Sequence, residues 1–245
     1  MKILNLVLYS NHEHFDSMKR LSSLYYKQFD NVKTIYYKFT SSIENDIEIE
    51  KDVLHIKGNE SHTPGILFKT LKAFQYAVDL NEDFDYVIRT NISTVVNFDL
   101  LMKKILHNST IYYGGILCQL KCIAKNSGID HKYQNMPYVS GLGIILSMDA
   151  LRFVVYNNHL IDLNVIDDVA IGILFYTYRK DIKIKNLCNQ NNILFTSDEM
   201  AKTIDMNKYC DDVIFYRNKS MSSRYLDIEK IKNITEYLIK IKSLL

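Results

Sequence analysis

The sequence predicts an α/β protein with a mostly parallel sheet flanked by helices, built as a single domain over residues 1–245. Two observations carry that prediction. Short runs rich in Val, Ile, Tyr and Phe alternate with longer stretches whose apolar residues recur at helical spacing. No Gly/Ser-rich or Pro-rich linker and no internal repeat divides the chain, and 47% hydrophobic residues are enough for one sizeable core.

Strands are expected at ILNLVLY (3–9), VKTIYYKF (32–39), DVLHI (52–56), DYVIRT (85–90), TIYYGGIL (110–117), VSGLGIILS (139–147), IKIKNL (182–187) and DVIFYR (212–217). A helix is expected from about Ser17 to Phe29. A second starts at Thr63, where Thr-Pro-Gly reads as an N-cap followed by proline in the first turn. Its Leu67, Leu71, Phe74 and Val78 share one face, which is expected to pack on the sheet. The polar segment 122–136 reads as a long loop near the site. A C-terminal amphipathic helix is expected at about 227–245, with Ile231, Ile234, Leu238, Ile241 and Leu245 in a stripe and lysines around it. Docking on its own domain is the leading expectation, with a homodimer seam or a membrane-surface helix as alternatives.

Composition excludes several classes of function. A formal net charge of +2 without a dense Lys/Arg block argues against nucleic acid as the main partner. No apolar run approaches the roughly twenty residues of a membrane span, and the N-terminus reads as a first strand rather than a signal, so a cytoplasmic location is expected. Five Asn-x-Ser/Thr sequons, at Asn59, Asn91, Asn108, Asn218 and Asn233, are read as a product of high Asn content. Cys118, Cys122, Cys188 and Cys210 lack paired C-x-x-C spacing and read as buried free thiols.

Four pieces carry chemistry. They are KGNESHTPGILFKTLKAF (57–74), YVIRTNISTVVNFD (86–99), YVSGLGIILSMDAL (138–151) and IDDVAIG (166–172). In the second, a core strand stops at a small polar cluster, Asn91, Ile92 and Ser93, where an α/β protein usually places ligands. In the third, Gly141 and Gly143 permit close backbone approach and Ser140 supplies a hydroxyl. A dinucleotide fingerprint is rejected there, because the third glycine is absent and Ile144 to Leu146 read as strand.

Taken together, in this order, the four pieces resemble a nucleotide-sugar glycosyltransferase of the GT-A fold, closest to the β-1,3-glycosyltransferase and Fringe-like group. Arg89, Thr90 and Asn97 match the flanks of that family's K-T-D-D-D-x-x-x-N motif, Ser140, Gly141 and Gly143 its S-G-x-G, and Asp167, Asp168 and Gly172 its acidic pair. The resemblance implies a Rossmann-like mixed sheet, a UDP-sugar donor, a glycan acceptor and an inverting hexosyltransferase. It implies Asp168 as general base, with Asp167 the near alternative, and sugar or acceptor contacts from Ser140, Gly141 and Gly143. Helix capping is the competing reading for both acids. Donor contacts are expected from Tyr9, Ser10 and Asn11 at the first strand's end, from Lys69, from Asn91 and Ser93, and from Arg89, which alternatively pairs with an acid such as Asp85.

In the family the D-x-D carboxylates hold a divalent metal. Here that triplet reads Asn91, Ile92 and Ser93, so no cofactor is certain and Mn²⁺ or Mg²⁺ is disfavoured. Arg217, Lys219 and Arg224 are expected to stabilise the departing diphosphate instead. Two rival readings stand: a weakened metal site using the neutral oxygens of Asn91 and Ser93, and a catalytically inactive glycosyltransferase-like protein that binds nucleotide-sugar or glycan.

Overall fold

The computed structural model describes residues 1–107, 112–123, 129–188, 193–196, 212–220 and 223–244. Cys210, the sequon at Asn108, Leu245 and parts of the expected strand at 110–117 and loop at 122–136 lie outside them.

β1 (Ile3–Leu8) shows how the sheet is held: Ile3 and Val7 enter one apolar cluster, Leu4 and Leu6 another on the opposite face. A strand covered on both sides needs such a near-continuous apolar run. It leads into α1 (Glu13–Tyr26), β2 (Val32–Thr40), β3 (Ile47–Glu50), β4 (Val53–Lys57) and α2 (Gly65–Asp79). β5 (Tyr86–Asn91), β6 (Thr94–Val96), α3 (Phe98–Leu106) and β7 (Tyr113–Gln119) follow. The chain continues through β8 (Pro137–Ser147), α4 (Met148–Tyr156), α5 (Asp167–Tyr178), β9 (Lys185–Asn186), β10 (Ile193–Thr196), β11 (Phe215–Asn218) and α6 (Arg224–Lys242).

Eight strands form one mixed sheet in the order β3-β4-β2-β1-β5-β8-β7-β9. Its centre is parallel, with β1 flanked by β2 and β5, while β8 runs antiparallel to both β5 and β7. A three-stranded sheet, β10-β11-β6, stands beside it. Met18 and Tyr25 of α1, Phe98 and Leu101 of α3, and Ile231, Ile234 and Leu238 of α6 fill the cluster on one face. Leu67 and Phe74 of α2, Leu151 of α4 and Leu174 of α5 fill the other.

Four details depart from the sequence reading. α1 begins at Glu13 rather than Ser17, because the His12 side chain accepts the His14 N–H and starts the helix early. The N-cap of α2 is Pro64 rather than Thr63, with no side-chain cap bond from that position; the Gly65 N–H is taken instead by the Ser61 hydroxyl at 3.0 Å. The strand expected at 182–187 shrinks to Lys185–Asn186, and the strand expected at 212–217 becomes β11 of the second sheet.

Candidate active site

The C-terminal ends of β1 and β5 lie side by side, with Leu8 paired to Asn91, and β8 crosses beside them with Thr90 paired to Gly143. Three side-chain clusters meet there.

The first is closed and buried. The guanidinium of Arg89, 2% exposed, donates to Asp167 Oδ2 at 2.5 Å, to the Gly141 carbonyl and to Tyr37 OH at 3.3 Å. Thr70 of α2 donates to the same Asp167 oxygen at 3.4 Å and pairs with Tyr37 OH at 3.0 Å. Arg89 therefore pairs with Asp167; Asp85 instead receives the Lys2 N–H. Asn91 adds an amide donor to the Gly141 carbonyl at 3.0 Å. A Cβ at Gly141 would stand 2.9 Å from Arg89 Nη1 and 3.3 Å from Asp168 Oδ2, so only glycine lets strand and helix close on this pair.

Asp168 differs from its neighbour. It is half-buried, and its carboxylate accepts the N–H of Gly141 at 2.8 Å and of Val169 at 2.9 Å. Burial, reinforced by the negative charge of Asp167, raises its pKa, while those N–H donors and Arg89 oppose the shift. Neither acid caps α5: the N-cap is Ile166, with no side-chain cap bond.

The second cluster joins the small sheet to the strand end. Arg217 of β11 donates to Ser93 Oγ at 2.5 Å and to Thr94 Oγ1 at 3.3 Å, while Asn218 N–H donates to the Ser93 carbonyl at 2.8 Å. Burial and the positive charges of Arg224 and Arg89 bring the Arg217 pKa down to about 10. Next to it, Arg224 binds the fully buried Asp227 at 2.7 Å, and Asp227 accepts both the N–H and the hydroxyl of Ser220. Buried Lys230 completes that knot through the Ser220 hydroxyl at 2.8 Å. Lys219 is exposed beside it.

The third cluster surrounds Lys69, whose ammonium is buried against both Glu60 oxygens at 2.7 and 2.9 Å, the Tyr9 carbonyl at 2.9 Å and Ser10 Oγ at 3.3 Å. Burial lowers its pKa, opposed by Glu60. Asn11 is tied to β2 through Phe39 O and Lys38.

Some expected contacts lose their geometric support. The Tyr9 ring is buried, hydrogen-bonded to Asp16 and edge-on to Tyr36, so only its carbonyl reaches the strand-end cluster. The side of Gly143 where a side chain would stand is filled by the Phe215 ring, 2.5 Å from the place a Cβ would take, so a side chain here would collide with β11. Ser140 turns its hydroxyl to the Leu142 N–H at 3.3 Å. Sequence reasoning does not single out Tyr37, Thr70, Glu60, Ser220, Asp227 or Lys230. Of these, Glu60 and Thr70, inside the 57–74 motif, and Asp227, one helical step from Arg224, carry a local signal.

The residues at the strand end do not fit a hard divalent cation. Asn91 presents its amide N–H, Ile92 is buried, and Ser93 receives a guanidinium. Among the described residues no group of three His, Cys, Asp or Glu side chains could hold a metal.

A Rossmann-like mixed sheet with its polar clusters at the parallel strand ends is the GT-A glycosyltransferase architecture. The sequence model of the galactosyltransferase family matches residues 32–187, more than half of the chain, and the chain belongs to that family. No curated protein matches it. Among solved structures it is similar to a glycosyltransferase involved in glycosylation of the major capsid of PBCV-1, at 12% identity and a TM-score of 0.52 over 95% of this chain and 100% of that one. It is also similar to the galactosyltransferase LgtC in complex with donor and acceptor sugar analogues, at 10% identity and a TM-score of 0.49 over 97% and 96%. No helix of the described residues is long and apolar enough to cross a membrane.

Proposed function

We propose that this family member transfers a hexose from a UDP-sugar to a glycan hydroxyl with inversion, and does so without a divalent cation. The observation that carries the reading is Asp168: a carboxylate held by two backbone N–H groups, half-buried at the strand ends, with its pKa raised by burial. The acceptor oxygen attacks the anomeric carbon, its proton passes to Asp168, and the bond from that carbon to the β-phosphate oxygen breaks to release UDP. Asp167 has no part in the proton transfer, because Arg89 and Thr70 occupy it.

The leaving diphosphate gains charge as the bond breaks, and Arg217, with Lys219 and Arg224 around it, meets that charge. A cation at about 4 Å contributes roughly 4 kcal/mol at an effective dielectric near 20, enough for one or two side chains to replace a metal's role. The motif order supports assignment to the β-1,3 and Fringe-like group, with Asn91-Ile92-Ser93 in the metal triplet's place.

A panel of nucleotide-sugars, read by thermal shift and then by product formation, tests the enzyme reading; no turnover with any donor ends it in favour of a binding protein. UDP titrated with Mn²⁺ and with excess chelator tests the cationic site. Chelator-insensitive affinity that falls about 10- to 100-fold in Arg217→Ala is expected. Strong Mn²⁺ dependence would reinstate a metal held by Asn91 and Ser93.

A further inference from the structure

Beyond the strand-end clusters, the molecule has an apolar pocket of about 450 Å³ at the far end of α5. Its floor is Leu117 of β7, Pro137 of β8, and Phe175, Ile182 and Ile184. Leu117 and Tyr176 are 38% and 43% exposed, and Leu117 lies beyond Gly114 and Gly115, the two residues of β7 that β9 covers. The rim carries Arg179, Lys180 and Lys183, and among the described residues no carboxylate lines the cavity. Arg179 is committed to Asp181 and to Tyr112 OH at 2.7 Å, which leaves Lys180 and Lys183, both exposed, as the charges that face a ligand.

The location ties this pocket to the reaction. The first turn of α5 sets Asp168 against Gly141; the helix then passes Tyr138 so closely that a Cβ on Gly172 would stand 2.5 Å from it, and reaches Phe175 and Tyr176 at the cavity. Eight residues of helix separate Asp168 from Tyr176, about 12 Å. That is the length of a sugar unit or two linked through a phosphate, short enough for one elongated acceptor to reach from base to pocket.

We propose that this pocket binds the apolar, phosphate-headed carrier of the acceptor, a single hydrocarbon chain lying on Leu117, Pro137 and Ile184 with its anionic group between Lys180 and Lys183. The inference rests on the transferase reading for its role and on the pocket's own chemistry for its ligand. A concave cavity of this volume suits one chain. A bilayer surface would instead need a broad, convex apolar face.

The test uses the whole chain and dodecyl phosphate below its micelle concentration, followed by calorimetric titration. Saturable binding at one site is expected. Octyl phosphate should bind at least tenfold more weakly, since four methylenes leave the pocket, and Lys180→Glu/Lys183→Glu should weaken dodecyl phosphate about tenfold while UDP affinity stays unchanged. In the transfer assay dodecyl phosphate should compete with the acceptor and not with the donor. Equal affinity in wild type and double variant, equal affinity for inorganic phosphate, or binding only to phosphatidylglycerol vesicles would each overturn the proposal, the last in favour of a membrane surface. Absent turnover with every donor would sink the transferase reading and the carrier role, while the titration separately decides what the pocket holds.

Discussion

The two sides of the candidate site use charge in opposite ways. On the β8–α5 side, Arg89 and Asp167 are both buried and neutralise each other, with Tyr37, Thr70 and the Gly141 carbonyl taking up the remaining donors and acceptors. On the β11–α6 side, Arg217 leans on the hydroxyls of Ser93 and Thr94 under the positive charge of two other arginines, and its proton is held less tightly than in water. The first arrangement is already satisfied and gains nothing from a ligand. The second sets Arg217 among hydroxyls and near two arginines, with the Asp227 carboxylate opposing the fall in its pKa. Asp168 stands on the boundary, fixed by backbone N–H groups yet half-open, and that position suits a group that must exchange a proton.

Breaking the boundary residue should have the largest effect. Asp168→Asn keeps size and one acceptor but removes the base, so kcat is expected to fall about 10³- to 10⁴-fold while UDP affinity changes little. Single-turnover kinetics beside a UDP titration separates the two. The pH dependence follows in sign. Because the folded-state pKa is raised, kcat/KM should rise with pH along an acid limb lying above the ordinary aspartate value of about 3.9. The same shift makes the folded protein favour protonated Asp168. The Asp168 contribution to stability is therefore fully present below the unfolded pKa and is lost as pH rises through the folded one. Denaturation of wild type and Asp168→Asn across that window should show the wild type losing ground with rising pH.

The satisfied side should fail as structure rather than as chemistry. Arg89→Ala leaves Asp167 buried without its cation, and a loss of about 3–5 kcal/mol in urea-denaturation stability is expected. Replacing both partners, as Arg89→Met with Asp167→Leu, should recover much of that loss. If Arg89→Ala instead kept full stability and lost only donor affinity, the architectural role argued for this pair would be wrong.

Legibility in the sequence divides along the same line. The parallel centre of the sheet is readable because β1, β2, β4 and β5 are short apolar runs bounded by polar turns. β6, β9 and β10 have two to four residues each, too few for any period to show, and their placement depends on tertiary partners. The acidic pair and the S-G-x-G element stand out by local pattern, but their division of labour does not. Nothing near Asp167 in the sequence announces that Arg89 and Thr70, both far along the chain, converge on it, with Tyr37 bonded to each of them. The lysine of α2 is legible for the same local reason, whereas its capture by Glu60 at 2.7 Å shows only in the folded chain.

The smallest effect expected is the most discriminating for Gly143, where a sugar contact and a packing role predict different things. A methyl there meets the edge of Phe215 at 2.5 Å, and that ring is fully buried between the main sheet and β11. Gly143→Ala must push Phe215 aside, at about 1–3 kcal/mol of stability. The displacement would carry Arg217, two residues along the same strand, away from Ser93. UDP affinity should then fall with the melting temperature. Combining Gly143→Ala with Phe215→Leu, which shortens the clashing ring, should restore part of both. A sugar-contact role predicts the reverse: normal stability and normal UDP binding, with a loss confined to transfer that Phe215→Leu cannot repair.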